Sequence, residues 1–129
     1  MSVMAVFGIP KLHEDDALRA VTAAVELRDQ VAAMNEDFLQ AYGRTVAIRA
    51  GVESGEASVR GRGELYVTVN TAARLEQVAP PGTILIGEAA YHLVRDAVVA
   101  GERRVLALKG KREDVTAWAV QGLSPEPPG

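Results

Sequence analysis

The stretch TVAIRAGVESGEASVRGRGELYVTVNTAARLEQVAPPGTILI, residues 45–86, decides the fold. Apolar residues alternate over residues 45–52, and a second short run covers residues 56–60, which together predict a β-hairpin. Residues 69–78 are predicted to form a helix that ends at an Ala-Pro-Pro-Gly turn, and residues 83–86 a strand. Strands and a helix therefore follow one another closely in this part of the chain.

The flanking sequence adds further helices and strands. Apolar residues recur at steps of mostly three and four between Ala17 and Phe38, which predicts one long amphipathic helix that Gly43 ends. The other predicted elements are a strand at residues 3–7, a helix at residues 88–97, and strands at residues 105–108 and 116–120. This mixture predicts an α+β fold, in which helices pack on one face of a mainly antiparallel sheet.

Length and composition restrict the class of protein. The 129 residues suffice for one domain, which we place at residues 1–123, before a proline-rich tail at residues 124–129. A net charge of -3 gives no overall basic surface for nucleic acid or an anionic membrane. The absence of cysteine excludes disulfides and thiol chemistry and favours a cytoplasmic location. No apolar run approaches the ~20 residues of a membrane helix.

Five local motifs occur in an order that resembles one known family. They are MAVFGIP, HEDDALRAVTAA, RAGVESGEASVRG, VNTAARLEQVAPPG and LKGK. Residues 3–121 resemble about the C-terminal two thirds of the catalytic domain of class III adenylate and guanylate cyclases. The resemblance implies a ferredoxin-like cyclase fold without its N-terminal strand and helices. It also implies a homodimer that binds ATP or GTP between its subunits and converts ATP to 3′,5′-cyclic AMP and pyrophosphate.

Asn70 and Arg74 are the residues that the motif VNTAAR singles out. They stand four positions apart, so on a helix both lie on one side, about one turn from each other. By resemblance, Asn70 orients the ribose and Arg74 stabilises the phosphorus in the transition state, and an arginine fork suits phosphate oxygens. Outside the family context, the same two residues would be a helix cap and a solvated surface arginine.

The resemblance implies further positions near the nucleotide. Lys111, in the triplet KGK, corresponds to the lysine that contacts the terminal phosphates, whereas most such triplets are solvated turns. Tyr66 falls near the position that reads the purine, on the strand expected just before the helix. A glycine-rich hairpin, with tight turns and close approach at a subunit interface, corresponds to Gly51, Gly55 and Gly61.

The chain departs from the family pattern at the metal site. Family members hold two divalent ions, Mg²⁺ or Mn²⁺, with two aspartates, and no residue of this sequence corresponds to either one. About three residues of the family pattern are also missing between Thr68 and Val69. The carboxylates of residues 14–16 suit the start of a helix better than a metal site. His13 and His92 are too few for a histidine metal cage.

Two functions from different classes follow from these observations. The first is a nucleotide cyclase, with adenylate cyclase activity favoured over guanylate cyclase activity. The alternative is a non-catalytic cyclase-homology module that dimerises or binds nucleotide, because the metal aspartates are absent. An RNA-binding sheet is the least favoured hypothesis, since only 5% of the residues are aromatic and the net charge is negative.

Overall fold

A computed structural model of the chain describes residues 16–55, 62–107 and 114–125. The elements are α1 (Asp16–Tyr42), β1 (Ala50–Val52), α2 (Arg62–Val78), β2 (Ile84–Gly87), α3 (Glu88–Val94), β3 (Val98–Leu106) and β4 (Val115–Leu123). The four described strands form one sheet in the order β1-β2-β4-β3. β1 and β2 are parallel, and the other two pairings are antiparallel. The predicted α+β fold with a mainly antiparallel sheet is confirmed.

Helices cover both faces of this sheet, so the prediction that they pack on one face was wrong. On one face, α1 and α3 pack on the central strands, and this core includes Val21, Ile86 and Trp118. On the other face, α2 packs through Leu75 against Leu85 of β2. Because successive side chains of a strand point to opposite faces, β2 contributes to both cores. The outer side of α2 is therefore separated from α1 and α3 by the whole sheet.

Helix α1 confirms the predicted long helix and its end. Gly43 adopts a φ of +68°, and its amide donates to the Leu39 carbonyl at 2.8 Å, which closes the last turn. Asn35 holds the next segment, because its Nδ2 donates to the Val46 carbonyl at 2.6 Å and its Oδ1 accepts from the Val46 amide at 2.7 Å. With these bonds made to a helix side chain, the strand begins only at Ala50 and not at residue 45 as predicted.

Helix α2 is longer than the sequence pattern predicted. It begins at Arg62 and not at residue 69, and Gly63 is its second residue. Gly63 lies in the first turn, where amides have no intrahelical partner, so a glycine disturbs the helix less there. Tyr66 is therefore helical, and the prediction that it lies on a strand was wrong. The predicted hairpin strand at residues 56–60 lies outside the described residues.

The C-terminal part follows the predicted order with different boundaries. β4 contains the predicted strand at residues 116–120, and β3 starts well before the predicted strand at residues 105–108. β3 is one of the two outer strands of the described sheet, and Arg103 and Arg104 on it are exposed. An edge strand of this kind needs no apolar alternation, so the pattern does not reveal its full length. Helix α3 ends at Val94, short of the predicted residue 97.

Three further predictions concern membrane-spanning helices, the C-terminal tail and the N-terminal strand. The longest described helix, α1, has 27 residues, and neither it nor another helix in the described ranges is long and apolar enough to cross a membrane. At the C-terminal end of β4, the Ser124 amide donates to the Ala97 carbonyl at 2.8 Å. The first residue of the predicted tail is thus bonded to the segment between α3 and β3. The strand predicted at residues 3–7 lies outside the described ranges.

Candidate functional site

Helix α2 has a buried face and an outer face. Thr71, Leu75 and Ala79 are buried. Asn70 is exposed and Arg74 is partly exposed. Both lie in the same helix, four positions and therefore about one turn apart, as the spacing predicted. The structure brings these two predicted site residues together on one side of α2.

The Arg74 guanidinium keeps hydrogen-bond donors that the described chain does not use. Its Nη1 donates to Oε1 of Gln77, one turn further along α2, at 3.2 Å. In the described part of the chain, the ion pairs formed by arginine belong to Arg19 and Arg28 instead. A guanidinium has five N–H donors, so most of those of Arg74 meet no acceptor within the described residues and can donate to an anion. Its charge and planar fork suit phosphate oxygens.

Gly51 sets how closely α2 approaches the sheet. A Cβ atom built on Gly51 would overlap the Ala72 carbonyl oxygen and would lie 2.6 Å from the Glu76 amide nitrogen and 2.9 Å from Leu75 Cβ. The resemblance predicted a close approach at a subunit interface here. The structure shows this approach between β1 and α2 of the same chain, so Gly51 determines where the outer face of α2 stands.

The side chains of the other two predicted site residues lie outside what the structure describes. Lys111 lies within residues 108–113, which are outside the described ranges. Tyr66 belongs to α2, one turn before Asn70, and only its helical backbone is described. The proposed contacts of Lys111 with the terminal phosphates and of Tyr66 with the purine therefore stay predictions.

The described carboxylates do not fit a pair of divalent ions. Within the described ranges, no group of three Asp, Glu or His side chains is placed to hold a metal ion. Asp16 pairs with Arg19 at 3.5 Å, and Glu88 lies 3.7 Å from His92, a histidine for which the sequence suggested no partner. Glu53 accepts hydrogen bonds from the backbone. These carboxylates are spread over separate elements, and each already has a partner of its own.

Glu53 is a residue that the sequence analysis did not single out. It directly follows β1, is partly buried, and accepts hydrogen bonds at Oε1 from the amides of Ser54 and Ala90, both at 2.9 Å. The one sequence signal was an acidic residue directly after an apolar strand. That signal does not identify Ala90 as the partner, because the two residues are 37 positions apart.

The chain matches a family model, and it resembles a curated protein. The model is described as the adenylate and guanylate cyclase catalytic domain, and it matches residues 2–122. The curated relative is "Putative adenylate cyclase 3" of Rhizobium meliloti (strain 1021), with 29% identity over 117 residues. The match covers 87% of this chain and 19% of the relative. The chain thus spans about a fifth of the length of that relative.

Solved structures of two cyclase domains resemble the chain over most of its length. The guanylyl cyclase Cya2 superposes with a TM-score of 0.76 at 25% identity, covering 92% of this chain and 64% of Cya2. The catalytic core of a rhodopsin-guanylyl cyclase with converted specificity, in complex with ATPαS, gives a TM-score of 0.71 at 25% identity. That match covers 92% of this chain and 64% of the other.

Proposed function

The chain belongs to the family of adenylate and guanylate cyclase catalytic domains, and we propose that it converts ATP to 3′,5′-cyclic AMP and pyrophosphate between two copies of the chain. The observation that carries the proposal is the arrangement of Asn70 and Arg74 on one side of α2. Arg74 meets no described carboxylate there, and its free donors suit a phosphate.

The proposed reaction closes a ring within the nucleotide. The ribose 3′ hydroxyl gives its proton to solvent water, and its oxygen bonds to the α-phosphorus. The bond from that phosphorus to the oxygen that bridges to the β-phosphate breaks, and pyrophosphate leaves. Such a reaction needs positioning and positive charge around the phosphorus more than it needs a protein nucleophile. This requirement agrees with a site that contains an asparagine and an arginine.

Each predicted residue receives one task in this proposal. Arg74 stabilises the charge on the α-phosphoryl oxygens in the transition state, and Asn70 orients the ribose through its amide. Lys111 holds the phosphates that leave, because an ammonium on a flexible stem can follow them as they separate. Tyr66 contacts the purine, since its phenol can both donate and accept a hydrogen bond.

Two divalent ions neutralise phosphate charge in the cyclase family. The described residues contain no carboxylate set that fits them, so the proposal assigns no step to a metal. Mg²⁺ or Mn²⁺ is supplied in the assay as a separate variable. Metal dependence of the product yield is thus measured directly and is not assumed.

The choice of purine is part of the proposal. ATP is proposed because a relative that matches 87% of this chain is named a putative adenylate cyclase, and GTP is the alternative substrate. Similar proteins include one named an adenylate cyclase and another named a guanylyl cyclase. Supplying ATP and GTP separately and measuring both cyclic products decides between them, and cyclic GMP as the main product would reverse the assignment.

Replacement of Arg74 tests the proposed site. We expect Arg74→Ala to lower turnover at least tenfold, about 1.4 kcal/mol of barrier, because the transition state loses a charge-assisted contact. The measurement is cyclic nucleotide formed per minute with Mn²⁺ present. Arg44→Ala is the matched control, since Arg44 is an exposed arginine in the loop after α1. Equal rates for the two variants would refute the role of Arg74.

A non-catalytic module is the second candidate. It is favoured because no group of three Asp, Glu or His side chains in the described residues is placed to hold a metal ion. The distinguishing experiment is a titration of the protein with a non-hydrolysable ATP analogue plus Mn²⁺. Saturable, metal-dependent binding supports the cyclase proposal. Dimerisation without binding of the analogue, together with no cyclic product from ATP or GTP, supports the module.

A further inference from the structure

Glu53 stands where β1 ends and α3 begins. Val52 of β1 pairs with Ile86 of β2, so the next residue, Glu53, lies beside Gly87. Gly87 is the last residue of β2 and immediately precedes α3. A side chain at this position is within reach of the first turn of α3.

Glu53 supplies the cap that the start of α3 does not contain. The N-cap residue is Gly87, which makes no side-chain hydrogen bond to the helix. The Ala90 amide, in the first turn, instead donates to Glu53 Oε1 at 2.9 Å. First-turn amides have no acceptor within their own helix, and a carboxylate also suits the positive end of the helix dipole. Glu53 therefore joins β1 to α3 by a charge-assisted hydrogen bond.

Gly87 provides the space for this carboxylate. A Cβ atom built on Gly87 would overlap Oε2 of Glu53 and lie 2.9 Å from Oε1. The φ of Gly87 is -76°, which any residue can adopt, so it is the space for the Glu53 carboxylate in its present position that favours glycine here. The Glu53 carboxylate thus occupies the space that a side chain at position 87 would fill.

The Glu53 carboxylate lies on the same face of the sheet as α2. A Cβ on Gly87 would point to the same face as Leu85, which is in the core beneath α2, and that Cβ would meet the carboxylate. Gly51, two positions before Glu53, contacts α2 directly. In a parallel β-α-β unit the helix runs back along the strands. Two strand residues span about 6.6 Å, which is the length of about four helix residues. Because α2 runs opposite to β1, Glu53 lies level with the helix turn about four residues before the one that Gly51 contacts. That turn carries Asn70.

We propose that Glu53 is a positioning residue for the site on α2. It fixes the end of β1 to α3 and, through the Ser54 amide, the direction in which the chain leaves β1 toward α2. The positions of Asn70 and Arg74 relative to the sheet are thereby fixed. The catalytic part of this inference rests on the proposed cyclase function, whereas the coupling of α3 to α2 does not.

Hydrogen exchange tests the coupling without reference to activity. The variants are Glu53→Ala, Glu53→Gln and the matched control Glu88→Ala, which removes an exposed carboxylate from the same end of α3. For Glu53→Ala we expect exchange at least about tenfold faster at the Ala90 amide and in α2 around residues 71–75. Glu53→Gln keeps a neutral acceptor and is expected to show about a threefold increase in both helices. Faster exchange confined to α3 overturns the proposal.

Steady-state kinetics tests the positioning role. We expect Glu53→Ala to lower kcat about tenfold with KM changed less than about threefold, and Glu53→Gln to recover most of kcat, because misplacement affects the transition state more than binding. Glu88→Ala should match the unmodified protein. An unchanged kcat for a folded Glu53→Ala overturns the positioning role.

If that variant does not fold, the same two measurements on Glu53→Gln decide, and no change in α2 exchange overturns the coupling. An unmodified protein without cyclase activity refutes the proposed function, and hydrogen exchange still decides the coupling.

Discussion

Gly51 is the residue at which a single added carbon atom should disturb the site most. Its missing side chain lets β1 approach the Ala72 carbonyl, the Leu75 side chain and the Glu76 amide of α2. Because two of these groups are backbone atoms, they cannot move aside as a flexible side chain would. We expect Gly51→Ala to lower the free energy of unfolding by about 1–3 kcal/mol, the usual range for overpacking. Urea unfolding followed by circular dichroism measures the change.

The control for this substitution is another glycine in a strand. A Cβ at Gly122 of β4 would meet nothing within 4 Å, so Gly122→Ala should leave the free energy of unfolding within about 0.5 kcal/mol of the unmodified value. Unfolding midpoints that shift equally for the two variants would contradict the tight contact between β1 and α2.

At the scale of elements, α1 is attached to the sheet mainly along its first half. Val21 and Val25 belong to the core, whereas in the second half of the helix the exposed fractions of Met34 and Leu39 reach 63% and 51%. Among the described hydrogen bonds, those from α1 to the sheet come from Arg28, and Asn35 bonds to the loop after α1. Since local stability follows buried contacts, the second half of α1 should open more readily than the first.

Arg28 is the polar attachment of α1 to the sheet. Its Nη1 and Nη2 donate to the carbonyls of Val120 and Gln121 at 3.1 and 2.9 Å. We expect Arg28→Ala to destabilise the protein by about 1–2 kcal/mol, because two charge-assisted bonds are lost at a partly exposed position. Thermal unfolding measures this loss. Arg28→Lys should recover less than half of the lost stability, since one ammonium does not reproduce the two parallel hydrogen bonds of a guanidinium. Full recovery of stability by lysine would contradict the role of the two hydrogen bonds to Val120 and Gln121.

At the scale of the whole molecule, the proposed site needs two copies of the chain. If each site forms only in a dimer, the rate per milligram of protein must rise with protein concentration as the dimer fraction rises. We expect sedimentation velocity and specific activity to follow the same concentration dependence. An inert carrier protein at constant total mass controls for adsorption. A constant specific activity from a species that sediments as a monomer would contradict the shared site.

The sequence predicted elements well wherever one face carries a clear apolar period. The spacing between Ala17 and Phe38 predicted α1, and Gly43 predicted its end with the left-handed φ that glycine allows. The start of α2 and the full length of β3 were not predicted. Gly63 obscures the first turn of the helix, and an exposed edge strand such as β3 carries no apolar alternation. In both elements packing and pairing outweighed local propensity.

The sequence by itself determined the family, the α+β class and the presence of Asn70 and Arg74 on one side of a helix. These follow from the order of motifs and from spacings of a few residues, which a linear chain displays directly. Only the tertiary structure decided which contacts hold that helix in place. Glu53 meets Ala90 across 37 positions and Arg28 meets Val120 across 92, and Gly51 is required by the backbone of α2. Such contacts depend on how elements pack in three dimensions, so no local pattern reveals them.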